Sequence, residues 1–396
     1  MACLTHRKDI SWIDMSQPPA NNLTKRSRAS LIILIVLALL LMASVVFLVY
    51  HLPDDDAWQL MARPEEAIIP EDIGFDCEPV EAQRLYPFGE GLYKVSISRV
   101  ARLDNQGHER FAADIDFKAP FVVSDESRFL VADREGHQML MLGEHGELYK
   151  TSVEGRISSA NISSRGYVLI VQDKANSTGV VSLFAPETGR HLFDIHFPES
   201  GYVLSASFSP SGDYFDISIL NTASATAVPI IRRYNLEGQA LGQRMPDLAG
   251  LYPLIFHSSD DQIVLSGANS LVALAYDHSD LLWQRHFNQI LSVFDADRHL
   301  YVIAAAELDG PYALFKISGS GEMSELIHIG EAPAAIDHQS NLAAIASGTR
   351  VMVIDLTSGA LLFEKQLPAE IIRLRFTNES ALLVVVRTGV RRVEIV

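Results

Sequence analysis

A turn motif recurs along residues 104–359 of this 396-residue chain at a regular spacing. Each copy places a polar turn directly before a short apolar segment, and the copies end at Gly107, Gly146, Gly189, Gly238, Asp280, Gly321 and Gly359. Gly107 and Gly359 lie 252 residues and six intervals apart, so the mean spacing is 42 residues. Glycine suits such turns because it adopts positive φ without steric cost, and aspartate tolerates the same conformation. A repeat of this length indicates a small structural unit that must stack on its neighbours.

A second marker has nearly the same period. Apolar strands are predicted to follow polar turns, and they begin near Leu92, Phe129, Tyr167, Tyr214, Ile263, Leu300, Leu342 and Leu382, a mean spacing of about 41 residues. The chain around them is rich in β-branched and aromatic runs separated by Gly, Asn, Asp and Ser, which predicts strands and tight turns. A period of about 40 residues built from four strands predicts a β-propeller.

The copy number predicts an all-β propeller of about eight four-stranded blades over residues 80–396, and seven blades is the alternative. The last blade reads Ile371–Phe376, Ala381–Val386 and Arg391–Val396 and then stops one strand short. We expect a strand from the N-terminal side, within Glu66–Ile73, to complete this blade. Such a pairing would close the ring and remove an exposed strand edge.

Several copies carry a fuller motif. Ala185–Phe193, Asp277–Trp283 and Asp355–Phe363 resemble the D-x-x-T-G-x-x-L-W repeat of quinoprotein-like propellers, and Ser207–Tyr214 resembles the S-P-D-G turn of WD40 and YVTN repeats. The whole layout resembles a bacterial family of single-pass membrane-anchored β-propellers of unknown function. The resemblance covers most of residues 25–396 and implies a fold, not a reaction.

One long apolar segment precedes the repeats. Residues 31–50 contain no charged residue, proline or glycine, and as a helix they would reach about 30 Å, the thickness of a bilayer's hydrocarbon core. We therefore predict a transmembrane signal-anchor helix over 30–51, between a disordered cytoplasmic tail over 1–29 and an acidic stalk with a lead-in strand over 52–79. A cleaved signal peptide is the alternative, but its apolar region is shorter and is followed by small residues at the cleavage site.

The charges beside this segment predict its orientation. Three basic residues lie within residues 25–28, and three aspartates occupy residues 54–56. Because positive charge stays on the cytoplasmic side, we expect a single-pass protein of the plasma (inner) membrane with a cytoplasmic N-terminus and an extracytoplasmic or periplasmic propeller.

The charge and cysteine content of the chain limit the kinds of partner and cross-link that we expect. Residues 31–396 carry 27 basic and 47 acidic side chains, a net charge of −20, which is unsuited to binding nucleic-acid phosphates. We predict no nucleic-acid partner. Cys3 and Cys77 fall on opposite sides of the predicted span, so the fold does not depend on an internal disulfide.

No catalytic motif stands out, and we predict no enzyme, no cofactor, and no catalytic, cofactor-binding or metal-binding residue. The quinoprotein resemblance implies a quinone-dependent dehydrogenase, but such enzymes are expected to have stacked aromatics, a vicinal disulfide and a calcium site. Trp283 is the only tryptophan of the repeats, and the chain has no Cys-Cys pair and no H-E-x-x-H motif. Asp295-Ala-Asp297 lacks the later ligands of a calcium loop, so we expect a solvated turn.

The leading hypothesis is a non-catalytic envelope protein, in which a membrane-tethered propeller acts as a protein-binding scaffold. Asp173–Gly179 and Asn221–Thr226 are the polar loops that we expect to contact an unknown envelope protein. The alternative is a small-molecule-binding sensor or enzyme with a site in the propeller channel.

The alternative requires polar side chains on the innermost strands. Those strands are predicted at Ala119–Ser124, Ile157–Ser163, Val203–Ser209, Leu251–His257, Ile290–Asp295 and Ile371–Phe376. Only His257 and the segment Arg373–Arg375 stand out from mostly apolar residues and serines, which favours a packed channel.

Overall fold

Short β-branched and aromatic runs form strands throughout the part of the chain that the structure describes. The computed structural model describes residues 74–395, except 176, 198–200, 223–227, 247, 249, 260–261, 276–280 and 309. These residues form 32 strands and one short helix, α1 (Pro79–Ala82). The predicted tail, transmembrane helix and most of the stalk lie outside them. Within the described ranges, no helix has the length and hydropathy to cross a bilayer.

The strands form eight antiparallel sheets of four, which are the blades. The first four blades are built as follows: blade 1, β2 (Leu85–Phe88), β3 (Gly91–Val95), β4 (Arg99–Leu103) and β5 (Glu109–Asp114); blade 2, β6 (Pro120–Ser124), β7 (Phe129–Asp133), β8 (Gln138–Gly143) and β9 (Gly146–Ser152); blade 3, β10 (Arg156–Ile162), β11 (Val168–Asp173), β12 (Val180–Phe184) and β13 (His191–His196); blade 4, β14 (Tyr202–Phe208), β15 (Tyr214–Asn221), β16 (Val228–Asn235) and β17 (Ala240–Arg244).

The other four blades repeat the same plan. They are built as follows: blade 5, β18 (Leu254–Ser259), β19 (Gln262–Ser266), β20 (Ser270–Ala275) and β21 (Leu281–His286); blade 6, β22 (Gln289–Ala296), β23 (His299–Ala305), β24 (Tyr312–Ile317) and β25 (Met323–Gly330); blade 7, β26 (Ala335–Gln339), β27 (Leu342–Ser347), β28 (Arg350–Asp355) and β29 (Leu361–Gln366); blade 8, β30 (Ile371–Asn378), β31 (Ala381–Val386), β32 (Gly389–Glu394) and β1 (Gly74–Asp76).

The eight predicted blades are confirmed, and the seven-blade alternative is wrong. The expected closure from the N-terminal side is also present. Among the described residues the closing strand is β1, which follows the predicted Glu66–Ile73, and that predicted segment lies outside the described residues. Gly74 pairs with Arg391, and Asp76 pairs with Gly389. A side chain at position 74 could not fit, because its Cβ would lie 2.1 Å from the carbonyl oxygen of Val390. The propeller thus begins before the predicted boundary at residue 80.

In each blade the four strands follow one another as an antiparallel meander. This arrangement divides the loops between two faces of the ring. Because consecutive strands are antiparallel, the loops between first and second strands and between third and fourth strands lie at one end of every blade. We call this end the hairpin face. The loops between second and third strands lie at the other end, together with the connections from one blade to the next, and we call that end the linker face.

The core lies between neighbouring blades. Second and third strands are buried on both sides, as in β31, where every residue is buried. Each apolar cluster joins two blades, and the cluster of Leu92 and Ala101 with Leu383 and Val385 joins blade 1 to blade 8. A blade alone would expose these faces, so the ring must form as a whole.

The recurring turn glycines serve two purposes. The six glycines of the turn motif that the structure describes all have positive φ, as predicted. Five of them also lie against an aromatic ring on the fourth strand of the preceding blade: Phe75, Phe111, Tyr149, Phe193 and Trp283, with Leu326 in the sixth position. A Cβ at Gly189 would lie 2.2 Å from the Tyr149 ring. The repeat therefore encodes the contact between blades as well as the turn.

Candidate functional site

One cluster of charged residues is fully enclosed between blades 4 and 5. Asp216, Arg233 and His257 are all buried. Arg233 donates hydrogen bonds from Nε and Nη2 to the two carboxylate oxygens of Asp216, at 2.9 and 2.8 Å, and Nε2 of His257 lies 2.8 Å from Asp216 Oδ2. The Arg233 guanidinium also stacks 3.7 Å from the centre of the Tyr214 ring.

This cluster holds a carboxylate in its charged form. Burial alone would raise the pKa of Asp216, but the hydrogen bonds and charges of His257 and Arg233 reverse that effect and lower the pKa below its usual value. Both carboxylate oxygens are occupied by side chains of this chain. We interpret the cluster as a structural link between two blades, so His257, which the sequence singled out, is not part of an open site.

A cavity of about 450 Å³ lies on the other side of the channel, between the first strands of blades 7, 8, 1 and 2. Its charged lining consists of Arg373, Arg375 and Asp337. A smaller cavity of about 190 Å³ shares Arg375 and Asp337 and reaches the hairpin face near Gly89 and Glu126. The apolar innermost strands favoured a packed channel. For this sector of the ring, that prediction is wrong.

The two arginines lie on the same side of β30. Residues at alternate positions of a strand point to the same face, and both guanidinium groups contact blade 1 or blade 2. Leu374, between them, points to the other side and packs in the apolar cluster with blade 7. This alternation brings two cations to the channel while the strand remains anchored in the core.

Arg373 is fixed by neutral groups of blade 1. Its guanidinium lies 4.0 Å from the centre of the Tyr86 ring. Its Nη1 donates hydrogen bonds to the carbonyl oxygens of Gln83 and Leu85, at 3.0 and 3.3 Å.

Arg375 reaches across to blade 2. Its Nη1 donates to Ser124 Oγ at 3.0 Å, and its Nη2 donates to the carbonyl oxygen of Asp125. The guanidinium also lies 5.3 Å from the Phe88 ring centre.

Asp337 differs from Asp216 in its surroundings. It accepts the backbone N–H of Phe376 at 2.8 Å, and no ion pair within 4 Å reaches it from the described residues. Burial raises the pKa of Asp337 above its usual value, and the opposing effects of that N–H and of Arg375 do not cancel the rise. The next residue, His338, is exposed and stacks on Phe294 with ring centres 4.8 Å apart.

The sequence had pointed to Arg373–Arg375 but not to their neighbours. The six predicted innermost strands correspond to first strands of blades 2 to 6 and 8. The first strands of blades 1 and 7, β2 and β26, were missed, and with them Tyr86 and Asp337. The repeat places a first strand before each predicted second strand. The predicted strand at Leu342 therefore indicated that a first strand precedes it, which is β26.

The two loops proposed as contact sites join second to third strands of blades 3 and 4, and so lie on the linker face. In Asp173–Gly179, Thr178 donates its backbone N–H to the Phe197 carbonyl at 3.0 Å, and Lys174 pairs with Glu154. Most of the second loop, residues 223–227, lies outside the described residues.

Exposed apolar side chains gather near these loops. Tyr202, Met245, Leu251 and Leu254 are each at least half exposed. All four lie where a fourth strand ends or a first strand begins in blades 4 and 5, which places them on the linker face. Exposed apolar groups of this kind are typical of interaction surfaces.

Other candidate chemistry finds little support in the described ranges. No group of three or more His, Cys, Asp or Glu is arranged there to hold a metal ion. Asp297, from the partial calcium-loop motif, lies in a turn with φ of 45°, as the solvated-turn interpretation predicts. Cys77 is half-buried, and burial raises the pKa of its thiol, which disfavours the reactive thiolate.

Solved structures show that the fold is widely shared. The crystal structure of BamB from Moraxella catarrhalis is similar with a TM-score of 0.51 and 9% identity, covering 81% of this chain and 98% of that chain. The β-propeller domain of Cps50 (Swd1) from Myceliophteria thermophila has a TM-score of 0.48 and 11% identity, covering 70% and 96%. The similarity to BamB shows the propeller fold, and at 9% identity it does not transfer a function.

Sequence comparison gives the family. No curated protein matches the chain. A family model matches residues 74–395, which include all eight blades and leave the predicted membrane anchor outside the match. Because the match covers far more than half of its length, the chain belongs to DUF5711, a family of unknown function.

Proposed function

We propose that this protein is a non-catalytic scaffold that presents its propeller on the extracytoplasmic side of the plasma (inner) membrane and binds a protein partner of the cell envelope there. The single observation that carries the proposal is the group of exposed apolar side chains on the linker face of blades 4 and 5. Tyr202, Leu251 and Leu254 are 60%, 56% and 50% exposed.

The position of this group suits docking of a protein. It lies on the same face as the loops of blades 3 and 4 that the sequence had suggested as contact sites. The strands beneath it are packed together, since the first strands of blades 4 and 5 contact each other and their neighbours. An apolar centre with polar groups at its edge is the usual anatomy of a protein interface.

Membrane tethering is supported by the sequence of residues 31–50 and by the charges that flank it. In this proposal the apolar segment is a tether for the propeller. If so, the full chain should remain with the membrane fraction after an alkaline carbonate wash, and a chain lacking residues 31–50 should be released. Release of the full chain under the same conditions would contradict the tether.

The docking face is best tested by photo-crosslinking in intact cells. A photoreactive residue replaces Tyr202 or Leu254 in the full chain. A matched control carries the same residue at Ile97, which is 62% exposed in the second-to-third turn of blade 1, on the same face but on the far side of the ring.

We expect one discrete crosslinked species from the two test positions and none from the control. Leu251→Asp, introduced beside the photoreactive Leu254 position, should remove that species without lowering the Tm, because exposed substitutions change stability little. Crosslinks of equal intensity from Ile97, or crosslinks unaffected by Leu251→Asp, would contradict docking at this face.

A further inference from the structure

We infer that the channel cavity between blades 7, 8, 1 and 2 is a binding site for a small organic acid with two carboxylate groups, one held by Arg373 and one by Arg375. This inference is independent of the scaffold proposal, since the cavity lies between blades 7, 8, 1 and 2 and the apolar group lies on blades 4 and 5.

Two arginine side chains bring positive charge to this cavity. Neither Arg373 nor Arg375 has a carboxylate within 4 Å among the described residues, and their hydrogen bonds go to carbonyl oxygens and one hydroxyl. Five N–H donors are available on each guanidinium. Several of them therefore remain available to a ligand, and a bidentate carboxylate is the partner that matches their fork geometry.

Both guanidinium groups are held in place by neutral groups of neighbouring blades. The Tyr86 ring and two carbonyl oxygens hold the Arg373 guanidinium, and Ser124 holds that of Arg375 from the neighbouring blade. A long side chain that is already ordered loses less entropy when a ligand binds. These contacts position the two cations without neutralising them.

The spacing of the two arginines and the size of the cavity fit a dicarboxylate. Side chains two positions apart on a strand are separated by about 6.6 Å along the strand, so one carboxylate cannot readily satisfy both guanidiniums, whereas two carboxylates joined by a short carbon chain can. The cavity of about 450 Å³ suits a small molecule, and Val122 and Ile336 supply apolar wall for the carbon chain.

Asp337 favours carboxylate groups over phosphate in this cavity. It is the acidic residue of the larger cavity, and it repels a nearby ligand group more strongly as the charge of that group increases. A dicarboxylate divides its two charges between two separate groups, whereas a phosphate places up to two charges at one point.

Isothermal titration calorimetry of the purified full chain in detergent tests the site, with glutarate as the probe and inorganic phosphate as the comparison. We expect one glutarate per chain and at least tenfold weaker binding of phosphate. Arg373→Gln and Arg375→Gln should each weaken glutarate binding at least tenfold, the loss expected for one charge-assisted hydrogen-bonded pair. Arg99→Gln is the matched control, because Arg99 is exposed and already paired with Glu109, and it should leave binding unchanged.

A second variant keeps the test valid if an arginine substitution lowers folding. Asp337→Asn retains an oxygen that can accept the Phe376 N–H and removes the negative charge from the wall, so it should tighten glutarate binding about two- to threefold. Absence of glutarate binding to the wild-type chain would overturn the inference. So would tighter binding of phosphate, an equal loss in Arg99→Gln, or weaker binding in Asp337→Asn.

Discussion

Two sites of this propeller combine arginine with an aspartate that is buried at one site and half-buried at the other, and they differ in which groups bind those charges. Between blades 4 and 5, both oxygens of Asp216 are bound by Arg233, and His257 binds one of them as well. At the channel, Asp337 receives a backbone N–H, and the nearby Arg375 binds neutral oxygens of blade 2.

The comparison shows that the same residue types stabilise the fold at one position and form a candidate binding site at another. A charge saturated by its own chain stabilises the contact between blades and has little left to offer a ligand. A charge that is positioned but not neutralised retains its attraction for a ligand. Residue type alone does not separate these cases, because the number and kind of partners decide.

The largest expected effect on stability comes from disrupting the cluster of Asp216, Arg233 and His257, which we call the closed site. Asp216→Asn leaves Arg233 buried without a counter-charge, and such a loss costs about 3–5 kcal/mol in the free energy of unfolding. Urea unfolding of the full chain at pH 7 measures it. Asp213→Asn is the matched control, since Asp213 pairs with Arg165 at the surface, and it should cost less than about 1 kcal/mol. Equal losses in the two variants would remove the distinction between a closed site and the surface.

The same variant has an expected pH dependence. Because the pKa of Asp216 is lowered in the folded chain, its contribution is present above the pKa of the unfolded carboxyl, and is lost as the pH falls through the lower, folded value. The stability difference between wild type and Asp216→Asn should therefore shrink in acid. A difference that grows on acidification would show that Asp216 is not held as a carboxylate.

The stability contribution of Asp337, in the channel cavity that we call the open site, should depend on pH with the opposite sign. Because burial raises the pKa of Asp337, its charge lowers stability as the pH rises from the unfolded pKa through the raised, folded one. Asp337→Asn should increase the free energy of unfolding at pH 7, on the order of 1 kcal/mol, the usual size of a single polar substitution. The gain should vanish near pH 3, where the wild-type residue is protonated. A loss of stability at pH 7 would contradict this assignment.

A small effect on stability is also expected at Arg375. Arg375→Gln removes two hydrogen bonds to neutral acceptors, and at this half-buried position each contributes about 0.5 kcal/mol, the lower end of the usual range. We expect a decrease in the free energy of unfolding of about 1 kcal/mol in the absence of ligand, measured as for Asp216→Asn. A decrease as large as that of Asp216→Asn would mean that Arg375 is a structural residue as well.

The blade count could be predicted from the sequence because it depends on local requirements. Gly189 and its counterparts must adopt positive φ and leave space for a ring of the preceding blade, so the same residue returns at each turn. The closing strand was placed too early because β1 has three residues, too few to show strand periodicity.

The candidate site was only half visible in the sequence. Arg373 and Arg375 stood out on a strand that was recognised as innermost. Tyr86 and Ser124 lie more than 240 positions away along the chain, and only closure of the ring places them beside the arginines. His257 stood out equally, and nothing local to it reveals that Asp216 and Arg233 of the neighbouring blade enclose it.

Arg233 is paired with a carboxylate of its own chain, whereas Arg373 and Arg375 bind only neutral groups among the described residues. Side-chain NMR measures directly whether these arginines differ in ligand binding. The arginine Nε–H signals of the full chain, assigned through the Arg→Gln variants, are followed as glutarate is added. We predict that the Arg373 and Arg375 signals shift and saturate together, while the Arg233 signal stays in place. Unmoved signals from Arg373 and Arg375, or an equal shift of Arg233, would contradict the account.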